Sequence, residues 1–274
     1  LVVDNASTDK TKEIIEEYVQ RESKVKYIYE SKPGLSNARR RAVEASGDWV
    51  IYVDDDNVLN WDWLDVLEEI TASHYDVGVI NGAVIAVPLD ALSSEEECRL
   101  SLMYRNLACT HIGSIDYPAK ENRNPMGAGM CIPTRILREI SQEGWLDLLG
   151  RTGENLSSGE DTELCNKVFR KGYTYICDYR MQMQHLIPRS RLSQENVDRL
   201  LEGLMKSRYQ LISAKKHYLL ERMARGAKYV LVYLCACLPT DDTWLKESRR
   251  QKRIVSKVFI NCLANDKLFN RNPR

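Results

Sequence analysis

An α/β fold with a mostly parallel central sheet flanked by helices is predicted for this chain of 274 residues, on three observations. First, short apolar stretches alternate with segments of helical periodicity over residues 1–90, which is typical of parallel strands joined by helical crossovers. Second, acidic residues follow two of these stretches directly, at Asp4 and at Asp54–Asp56. Third, the chain becomes helical from Ser193 onward, with a break at Pro239. Because ligands of open α/β sheets bind beyond the carboxyl ends of the strands, both acidic sites are expected to face one pocket.

The elements of residues 1–90 follow from their side-chain periodicity. Ile14, Ile15, Tyr18 and Val19 recur at helical spacing, so TKEIIEEYVQRE (11–22) is predicted to be a helix. Short apolar runs bounded by polar residues predict strands. These strands are LVV (1–3), VKYIYE (25–30), WVIYV (49–53) and VGVINGAVIAV (77–87), the last as one strand or a pair. Two further helices are LSNARRRAVEAS (35–46) and WDWLDVLEEITA (61–72).

The later part of the chain is less regular. A helix is expected over residues 93–109, followed by a polar loop through DYPAKENRNPMGAG (116–129) and the short strand MCIP. The segment GEDTELCNKVFRKGY (159–173) has a helical pattern that Gly172 ends, and TYICDYRMQMQH (174–185) is predicted to be a bent strand or a strand pair.

Charge divides the chain into two regions. Lys and Arg number 39, as do Asp and Glu, but residues 205–274 hold 16 basic against 5 acidic residues. Residues 1–204 therefore hold 23 basic against 34 acidic residues. The basic end has two interpretations: an amphipathic segment that contacts an anionic membrane, or a packed helical subdomain with a solvated basic face. Nucleic acid is not expected as a partner, because aromatic residues do not alternate with the basic ones.

Cysteine spacing and hydropathy indicate the compartment. The eight cysteines show no CxxC pair and no metal-binding spacing, as expected of thiols in a reducing compartment. No apolar run reaches the roughly 20 residues that a bilayer span requires, and no signal peptide is evident. We therefore expect a cytoplasmic protein. The chain opens on LVVDNASTD without Met, which leads us to expect a fragment that begins inside a fold.

Asp54–Asp56 have two interpretations from the residues alone. Three like charges at a strand end can form a solvated turn in which Asp caps the helix that begins near Trp61. They can instead hold Mg²⁺ or Mn²⁺, which proteins bind through one or two carboxylates together with substrate phosphates. On an extended backbone, Asp54 and Asp56 would point to one side and Asp55 to the other. The spacing does not fit an EF-hand loop, so a two-carboxylate site is the functional alternative.

Asp161 is a candidate general base. It shares the predicted inward face of its helix with Leu164, Cys165 and Val168. An inward carboxylate costs free energy unless it is paired or functional. The neighbouring Glu160 has a simpler interpretation, because acidic residues at a helix N-terminus interact favourably with the helix dipole.

Four segments, in their order along the chain, resemble the motifs of glycosyltransferase family 2, whose members have the GT-A fold. They are VVDNASTDKT, KPGLSNARRRAVEASGDWVIYVDDD, PMGAGMCIPTRIL and GEDTELCNKVFRKGY. The resemblance implies a GT-A domain over residues 1–190 and a helical basic extension over residues 191–274. It also implies that the first strand–helix unit of the domain is missing, in agreement with the abrupt start.

The resemblance assigns roles to individual residues. It implies that the catalytic base is Asp161. The residues implied to bind the nucleotide sugar are Asp4, Asn5, Arg39, Asp54 and Asp55, with Arg39 near the diphosphate. Those implied to hold Mn²⁺ or Mg²⁺, in a DxD-type motif, are Asp54, Asp56 and His185. The acceptor side is assigned to Gly127, Ala128, Gly129 and Glu160. Structural alternatives stay open, with Asn5 in a turn and His185 as a buried structural histidine.

The implied function is inverting, metal-dependent transfer of a sugar from a nucleotide-diphosphate sugar to a hydroxyl of a glycan or lipid-linked acceptor. The resemblance also implies synthesis of a bacterial cell-surface polysaccharide, in the cytoplasm or peripherally on the inner face of the membrane. Three alternatives remain: a sugar transferase to polyprenyl phosphate, a nucleotidyltransferase, and a carbohydrate-binding module without catalysis. Polyprenyl phosphate needs no strong acceptor base, so replacing Asp161 by Asn separates the first alternative from the main hypothesis.

Overall fold

The computed structural model describes residues 1–112, 125–146, 159–213 and 219–265. In these ranges the strands are β1 (Val2–Asp4), β2 (Tyr27–Tyr29), β3 (Trp49–Tyr52), β4 (Asn57–Leu59), β5 (Val77–Pro88), β6 (His111–Ile112), β7 (Met130–Pro133) and β8 (Thr174–Ile187). The α-helices are α1 (Thr11–Arg21), α2 (Leu35–Arg40), α3 (Trp63–Ser73), α4 (Ser94–Met103), α5 (Thr134–Glu143), α6 (Glu160–Arg170), α7 (Gln194–Ser213), α8 (Leu219–Ala236) and α9 (Thr243–Ala264). Most of the predicted polar loop, residues 116–124, lies outside the described residues.

The chain forms two compact units. The first consists of Leu1–Val87 and Ala108–Leu186, and the second of Pro88–Leu107 and Ile187–Arg274. All of the predicted site residues belong to the first unit, whereas α4, α7, α8 and α9 belong to the second. The division at residue 190 that the sequence suggests stays a prediction.

The expected mostly parallel sheet is corrected to a mixed one. The strands β1 and β2 form a separate parallel pair, with Val3 opposite Ile28. The larger sheet has the order β3-β7-β5-β8-β4, with β6 parallel to β5. In this sheet β7 runs antiparallel to both β3 and β5, and β8 runs antiparallel to β4. The alternation of strands and helices did not reveal this, because β7 and β8 come late in the chain and insert between strands that precede them.

Helices cover both faces of the larger sheet. In β7, Met130 and Ile132 join one hydrophobic cluster, which includes residues of α5 and α6. Cys131, between them, joins a second cluster, which includes Trp63 and Ile70 of α3. Successive side chains of a strand point to opposite faces, so the sheet lies between the two helical layers. Burial on both faces explains why these strands appear in the sequence as continuous apolar runs.

The helix expected to reach residue 109 ends earlier. It begins after a capping box in which the Ser93 and Glu96 side chains each accept a hydrogen bond from the other residue's backbone N–H. It ends at Met103, and Ala108 then has a left-handed φ of 59° that an α-helix cannot accommodate. In the same unit, α9 packs through Phe259 on Tyr229 of α8 and Tyr209 of α7.

The antiparallel direction of β7 determines which loops come together. Tyr52, the last residue of β3, lies opposite Met130, the first residue of β7. The loop before β7 therefore lies at the same end of the sheet as the three aspartates that follow β3. The Gly129 amide donates to the Tyr52 carbonyl across 2.8 Å and fixes that proximity.

Candidate active site

The three aspartates form a tight turn between β3 and β4. The Asn57 amide donates to the Asp54 carbonyl across 3.0 Å, which closes the turn. The extended backbone on which the sequence argument placed Asp54 and Asp56 on one side is therefore wrong. A turn directs the two carboxylates apart. Asp54 lies close enough to Arg39 for its charge to raise the pKa of the guanidinium, whereas Asp56 lies against His185.

His185 and Asp56 form a polar pair that the register of β4 and β8 brings together. His185 lies opposite Asn57 in that register, and its Nε2 is 3.2 Å from Asp56 Oδ2. The Asn57 side-chain amide donates to the other oxygen, Asp56 Oδ1, across 3.0 Å. On its far side, His185 Nδ1 lies 3.5 Å from the Sγ of buried Cys109. The imidazole is thus held at both nitrogens.

Asp56 and His185 fit two positions in the shell of a hard divalent cation. Two adjacent ligands of an octahedral ion stand about 3 Å apart when each is about 2.1 Å from the metal, which is close to the separation of this pair. Within the described residues there is no cluster of three or more His, Cys, Asp or Glu that could hold an ion. A cation here would need its other ligands from water or from bound phosphates, as Mg²⁺ sites in proteins do.

Arg39 and Glu160 form a buried ion pair at the centre of the site. Arg39 Nη1 donates to Glu160 Oε1 across 3.2 Å, and both side chains are almost completely buried. Burial by itself lowers the pKa of Arg39, but the carboxylates of Glu160, Asp161 and Asp54 outweigh it and raise that pKa above its ordinary value. Tyr52 packs its ring 5.6 Å from the guanidinium carbon. The Arg39 Nε has no hydrogen-bond partner among the described residues.

The buried carboxylate of the Glu-Asp pair is Glu160, which corrects the sequence-based expectation for Asp161. The helix α6 begins after Gly159, whose left-handed conformation turns the chain so that Glu160 points inward. Asp161 remains half-buried. Its Oδ2 accepts a hydrogen bond from the Gly127 amide across 3.2 Å, and its Oδ1 accepts one from the Thr162 amide across 2.6 Å. Asp161 is therefore accessible and oriented, as a general base must be.

The loop of residues 127–129, which we call the glycine loop, contacts both Arg39 and Asp161. A Cβ placed on Gly127 would stand 2.1 Å from Arg39 Nη2, so only glycine allows the guanidinium to approach the loop this closely. Gly129 has a left-handed φ of 68°. Ala128, between them, is buried. The loop, Arg39 and the start of α6 thus form one packed group.

Sequence reasoning missed Asn81, which anchors this loop. Asn81 is buried in β5, and its side-chain amide donates to the carbonyls of Met126 and Ala128 across 2.9 and 3.0 Å. The available signal was a single amide in the apolar run VGVINGAVIAV, since a buried polar side chain needs a partner.

Asp4 and Asn5 lie at the end of the small parallel pair and support their own loops. Asp4 accepts hydrogen bonds from the Ser7 amide and from the Tyr27 hydroxyl, each across 2.9 Å. Burial alone raises the pKa of Asp4, but these hydrogen bonds outweigh it and hold that pKa below its ordinary value. Asn5 donates to the Lys32 carbonyl and accepts from the Gly34 amide, both across 2.7 Å.

The structure thus brings one set of predicted residues into a single cluster: Arg39, Asp54, Gly127, Glu160 and Asp161. A second set, Asp56 and His185, lies at the adjoining turn. The hydrogen bonds of Asp4 and Asn5 described above go to residues 7–34. Asp55 is an exposed residue at the tip of the turn.

Comparison with known proteins gives a match to one family model and a likeness to a number of solved structures. The model of glycosyl transferase family 2 matches residues 1–98. A mannosyltransferase, PcManGT from Pyrobaculum calidifontis, determined with GDP-Man and Mn²⁺, has a TM-score of 0.52 at 14% identity, over 99% of this chain and 78% of that one. The likeness shows a shared fold, which is the GT-A fold of these transferases. No curated protein matches the sequence.

Two further structures are similar at lower scores. TarS 1–349 of S. aureus has a TM-score of 0.44 at 15% identity, over 95% of this chain and 80% of that one. A mycobacterial protein has a TM-score of 0.35 at 15% identity, over 74% of this chain, and the match spans 63% of that protein's length.

Proposed function

We propose that this chain is a member of glycosyl transferase family 2, whose model matches residues 1–98, and that it transfers a sugar from a nucleotide-diphosphate sugar to an acceptor hydroxyl, with inversion at the anomeric carbon. Family and fold support glycosyl transfer as the reaction class. The support for an inverting mechanism with an acceptor base comes from the cluster around Asp161, since a fold alone does not determine function.

The observation that carries the proposal is the arrangement of Asp161. Its Oδ2 is held by the Gly127 amide, on the loop assigned to the acceptor side, while the carboxylate stays half-buried. Next to it, Glu160 is neutralised by Arg39. A carboxylate that is fixed in orientation and still reachable is suited to accept a proton from an incoming hydroxyl.

The reaction that follows is a direct displacement. The acceptor O–H bond breaks as its proton passes to an Asp161 oxygen, and the acceptor oxygen forms a bond to the anomeric carbon. The bond from that carbon to the diphosphate oxygen breaks, and the diphosphate leaves with the electron pair. Attack on the side opposite to the leaving group inverts the configuration. The step needs no oxidant or reductant.

We place the donor diphosphate at the aspartate turn. Asp54 and Asp55 would contact the nucleotide sugar, and Asp56 with His185 would hold Mn²⁺ or Mg²⁺. When bound, such a cation supplies charge stabilisation to a departing diphosphate. The presence of GDP-Man and Mn²⁺ in the structure of PcManGT supports a cation of this kind. Arg39 stays a predicted diphosphate-binding residue, and Asp4 and Asn5 stay predicted contacts of the nucleotide.

The acceptor side of the proposal comprises Gly127, Ala128, Gly129 and Glu160. The acceptor would be a glycan or a lipid-linked saccharide of a bacterial surface polysaccharide, met at the inner face of the membrane through the basic C-terminal residues. A cytoplasmic location is supported by the eight cysteines without paired spacing.

The test compares Asp161→Asn with Glu163→Gln, a matched change of a half-buried acid on the same helix. Release of nucleoside diphosphate from a panel of sugar nucleotides is measured with Mn²⁺ and acceptor. We expect Asp161→Asn to lower turnover by about 10²–10⁴-fold, the usual contribution of a general base, and Glu163→Gln to retain it.

Binding is measured alongside, through the shift in melting temperature that a nucleoside diphosphate and Mn²⁺ produce. We expect that shift in wild type and in Asp161→Asn alike. Full turnover by Asp161→Asn would refute the acceptor base and favour transfer to a phosphate acceptor. Absence of any shift in the intact protein would refute nucleotide-sugar binding altogether.

A further inference from the structure

Helix α8 is apolar on two opposite sides. On its inner side, the Tyr229 ring packs 4.3 Å from the Phe259 ring of α9. One turn earlier, a Cβ on Gly226 would stand 2.6 Å from a methyl carbon of Leu263, so the two helices approach closely there. This side is an ordinary packed interface and explains why α8 is stable against α9.

The outer side of α8 presents a row of exposed aliphatic residues. We call this row the α8 ridge, and it consists of Val230, Leu231 and Leu234 of the helix together with Leu238 in the turn that follows it. Their exposed fractions range from 45% to 62%. The spacing of three and four residues places Val230, Leu231 and Leu234 on one side of the helix. Trp244, at the start of α9, is 50% exposed and follows the ridge closely in the chain.

Single exposed leucines are common, but a continuous stripe of them indicates an interaction site. The other side of α8 already provides its packing, so the ridge is not required for the interior of this unit. None of the helices in the described part of the chain is long and apolar enough to cross a membrane. The ridge is therefore suited to a surface or an interface and not to a span.

Positive charge is concentrated at the end of the ridge. Arg249 donates to the carbonyls of Leu238 and Pro239, across 2.6 and 2.7 Å, and Arg253 donates to the carbonyl of Ala236 across 2.7 Å. Arg253 thus satisfies the last carbonyl of α8 and Arg249 those of the turn that follows, close to the helix C-terminus, where a cation also interacts favourably with the helix dipole.

The surrounding charges have the same bias. Lys228 and Lys246 are exposed, and residues 219–265 hold nine basic against four acidic residues. Of the acids in the turn between the helices, Asp242 accepts a hydrogen bond from the Leu245 amide and caps α9, while Asp241 is exposed.

We propose that the α8 ridge docks on an anionic lipid surface, with α8 lying parallel to the membrane. Aliphatic side chains would enter the boundary between headgroups and acyl chains, Trp244 would lie at headgroup depth, and the lysines and arginines would contact lipid phosphates. Charge selects this occupant over a second copy of the chain. Two copies would bring surfaces of the same net positive charge together, since residues 219–265 hold nine basic against four acidic residues, whereas an anionic membrane neutralises that charge. The inference specifies the membrane contact named in the proposed function, but lipid binding needs no sugar nucleotide, so vesicle binding and glycosyl transfer can fail separately.

The experiment is sedimentation of the full chain with vesicles of phosphatidylcholine and phosphatidylglycerol. The test variant is Leu231→Ser with Leu234→Ser. The matched control is Ile14→Ser with Leu64→Ser, which replaces two aliphatic residues that are 54% and 53% exposed on helices of the other unit. We expect the test variant to bind the anionic vesicles at least about tenfold more weakly than wild type does, and the control to bind them as wild type does. Pure phosphatidylcholine vesicles should bind wild type more weakly than the anionic ones.

The milder pair Leu231→Ala with Leu234→Ala guards against an unfolding artefact, and it should give a smaller loss of binding at an unchanged melting temperature. Equal vesicle binding by wild type and the serine variant would overturn the proposal. It would also be overturned by a concentration-dependent dimer that the same substitutions dissociate, with no vesicle binding in wild type. That second outcome would assign the ridge to another copy of the chain.

Discussion

His185 Nε2 lies 3.2 Å from Asp56 Oδ2, although the two residues stand 129 positions apart in the chain. The antiparallel register of β4 and β8 produces this contact, because it sets His185 opposite Asn57. The histidine is fixed from behind by Cys109, so its Nε2 faces Asp56 in a constant orientation. The pair is where the proposed cation would be held.

We expect Asp56→Ala and His185→Ala each to weaken Mn²⁺ binding by about tenfold or more, because each would remove one protein ligand from an ion that has few. Affinity is measured by electron paramagnetic resonance titration of Mn²⁺ with GDP or UDP present. His74→Ala, which changes an exposed histidine at the end of α3, is the control. If both site variants bind Mn²⁺ as tightly as this control, the pair is a structural hydrogen bond only.

The Arg39–Glu160 ion pair predicts that substitutions of the two residues have strongly non-additive effects on the free energy of unfolding. Removing one partner leaves the other charge buried, so Arg39→Met alone should lower the free energy of unfolding by about 3–5 kcal/mol. The double variant Arg39→Met with Glu160→Met should lose less free energy of unfolding than Arg39→Met alone, since neither charge of the pair is then left buried without its partner. Urea denaturation provides both values.

An exposed ion pair provides the contrast. Lys12 and Glu16 are both more than half exposed, and removing that pair should change stability by about 0–1 kcal/mol. Additive losses at Arg39 and Glu160 would show that the two side chains do not interact across the site.

Gly127→Ala should disrupt the site through a steric clash. The added Cβ would stand 2.1 Å from Arg39 Nη2 and must displace the guanidinium or the loop. We expect turnover to fall by at least about tenfold, since small displacements of positioning groups have large effects. Gly47→Ala is the matched control, because its Cβ would meet nothing nearer than 3.6 Å. Equal turnover of the two variants would contradict the proposed packing.

Asn81→Leu should loosen the acceptor-side loop. The substitution leaves the carbonyls of Met126 and Ala128 without their donor, at a cost of about 1–3 kcal/mol for each buried group left unsatisfied. We expect the apparent KM for acceptor to rise more than the KM for donor, which steady-state kinetics with each substrate varied can separate. Asn81→Asp replaces the donor by an acceptor and should be worse than leucine. Unaltered acceptor KM in both variants would argue against this anchoring role.

The Asp4–Tyr27 hydrogen bond predicts a pH window for stability. The pKa of Asp4 is lowered in the folded chain, so its contribution is present above the ordinary carboxyl range and is lost as pH falls through the folded value. Burial and the Asp4 contact raise the pKa of Tyr27 to about 12, so its contribution is complete below about pH 10 and is lost as pH rises toward 12.

We therefore expect Tyr27→Phe to lose the alkaline part of this dependence. The difference in unfolding free energy between wild type and Tyr27→Phe should be largest near neutral pH and shrink between pH 10 and 12. Chemical denaturation at several pH values measures it. A difference that stays constant up to pH 12 would show that the hydroxyl does not titrate differently in the two states.

Particular elements show how far the sequence could lead. The strands at 49–52 and 77–88 were predictable because both faces of the sheet are covered, which leaves nearly unbroken apolar runs. The end of α6 was predictable as well, since Gly172 has a left-handed φ of 87° just beyond it. The family motifs located the aspartate turn, and their assignment is supported by the match to residues 1–98.

Other features depend on distant partners. Helical spacing suggested that Asp161 points toward the interior. The turn at Gly159 and the ion pair with the Arg39 guanidinium place the Glu160 side chain in the interior instead. Strand direction could not be derived from local alternation, because it depends on where β7 and β8 insert. Asn81 is meaningful only once the loop that it holds is in place.

The late insertion of β7 and β8 also sets the order of folding. The sheet order β3-β7-β5-β8-β4 leaves β3, β5 and β4 separated from one another until residues 130–133 and 174–187 arrive. During synthesis, the ribosome must therefore release the chain through Ile187 before the central sheet can close, whereas β1 and β2 can pair much earlier. Such non-local pairing slows folding and leaves apolar strand edges exposed while the chain waits. The strand order that unites the aspartate turn with its histidine therefore leads us to expect that the nascent chain aggregates more readily before Ile187 is released than after it.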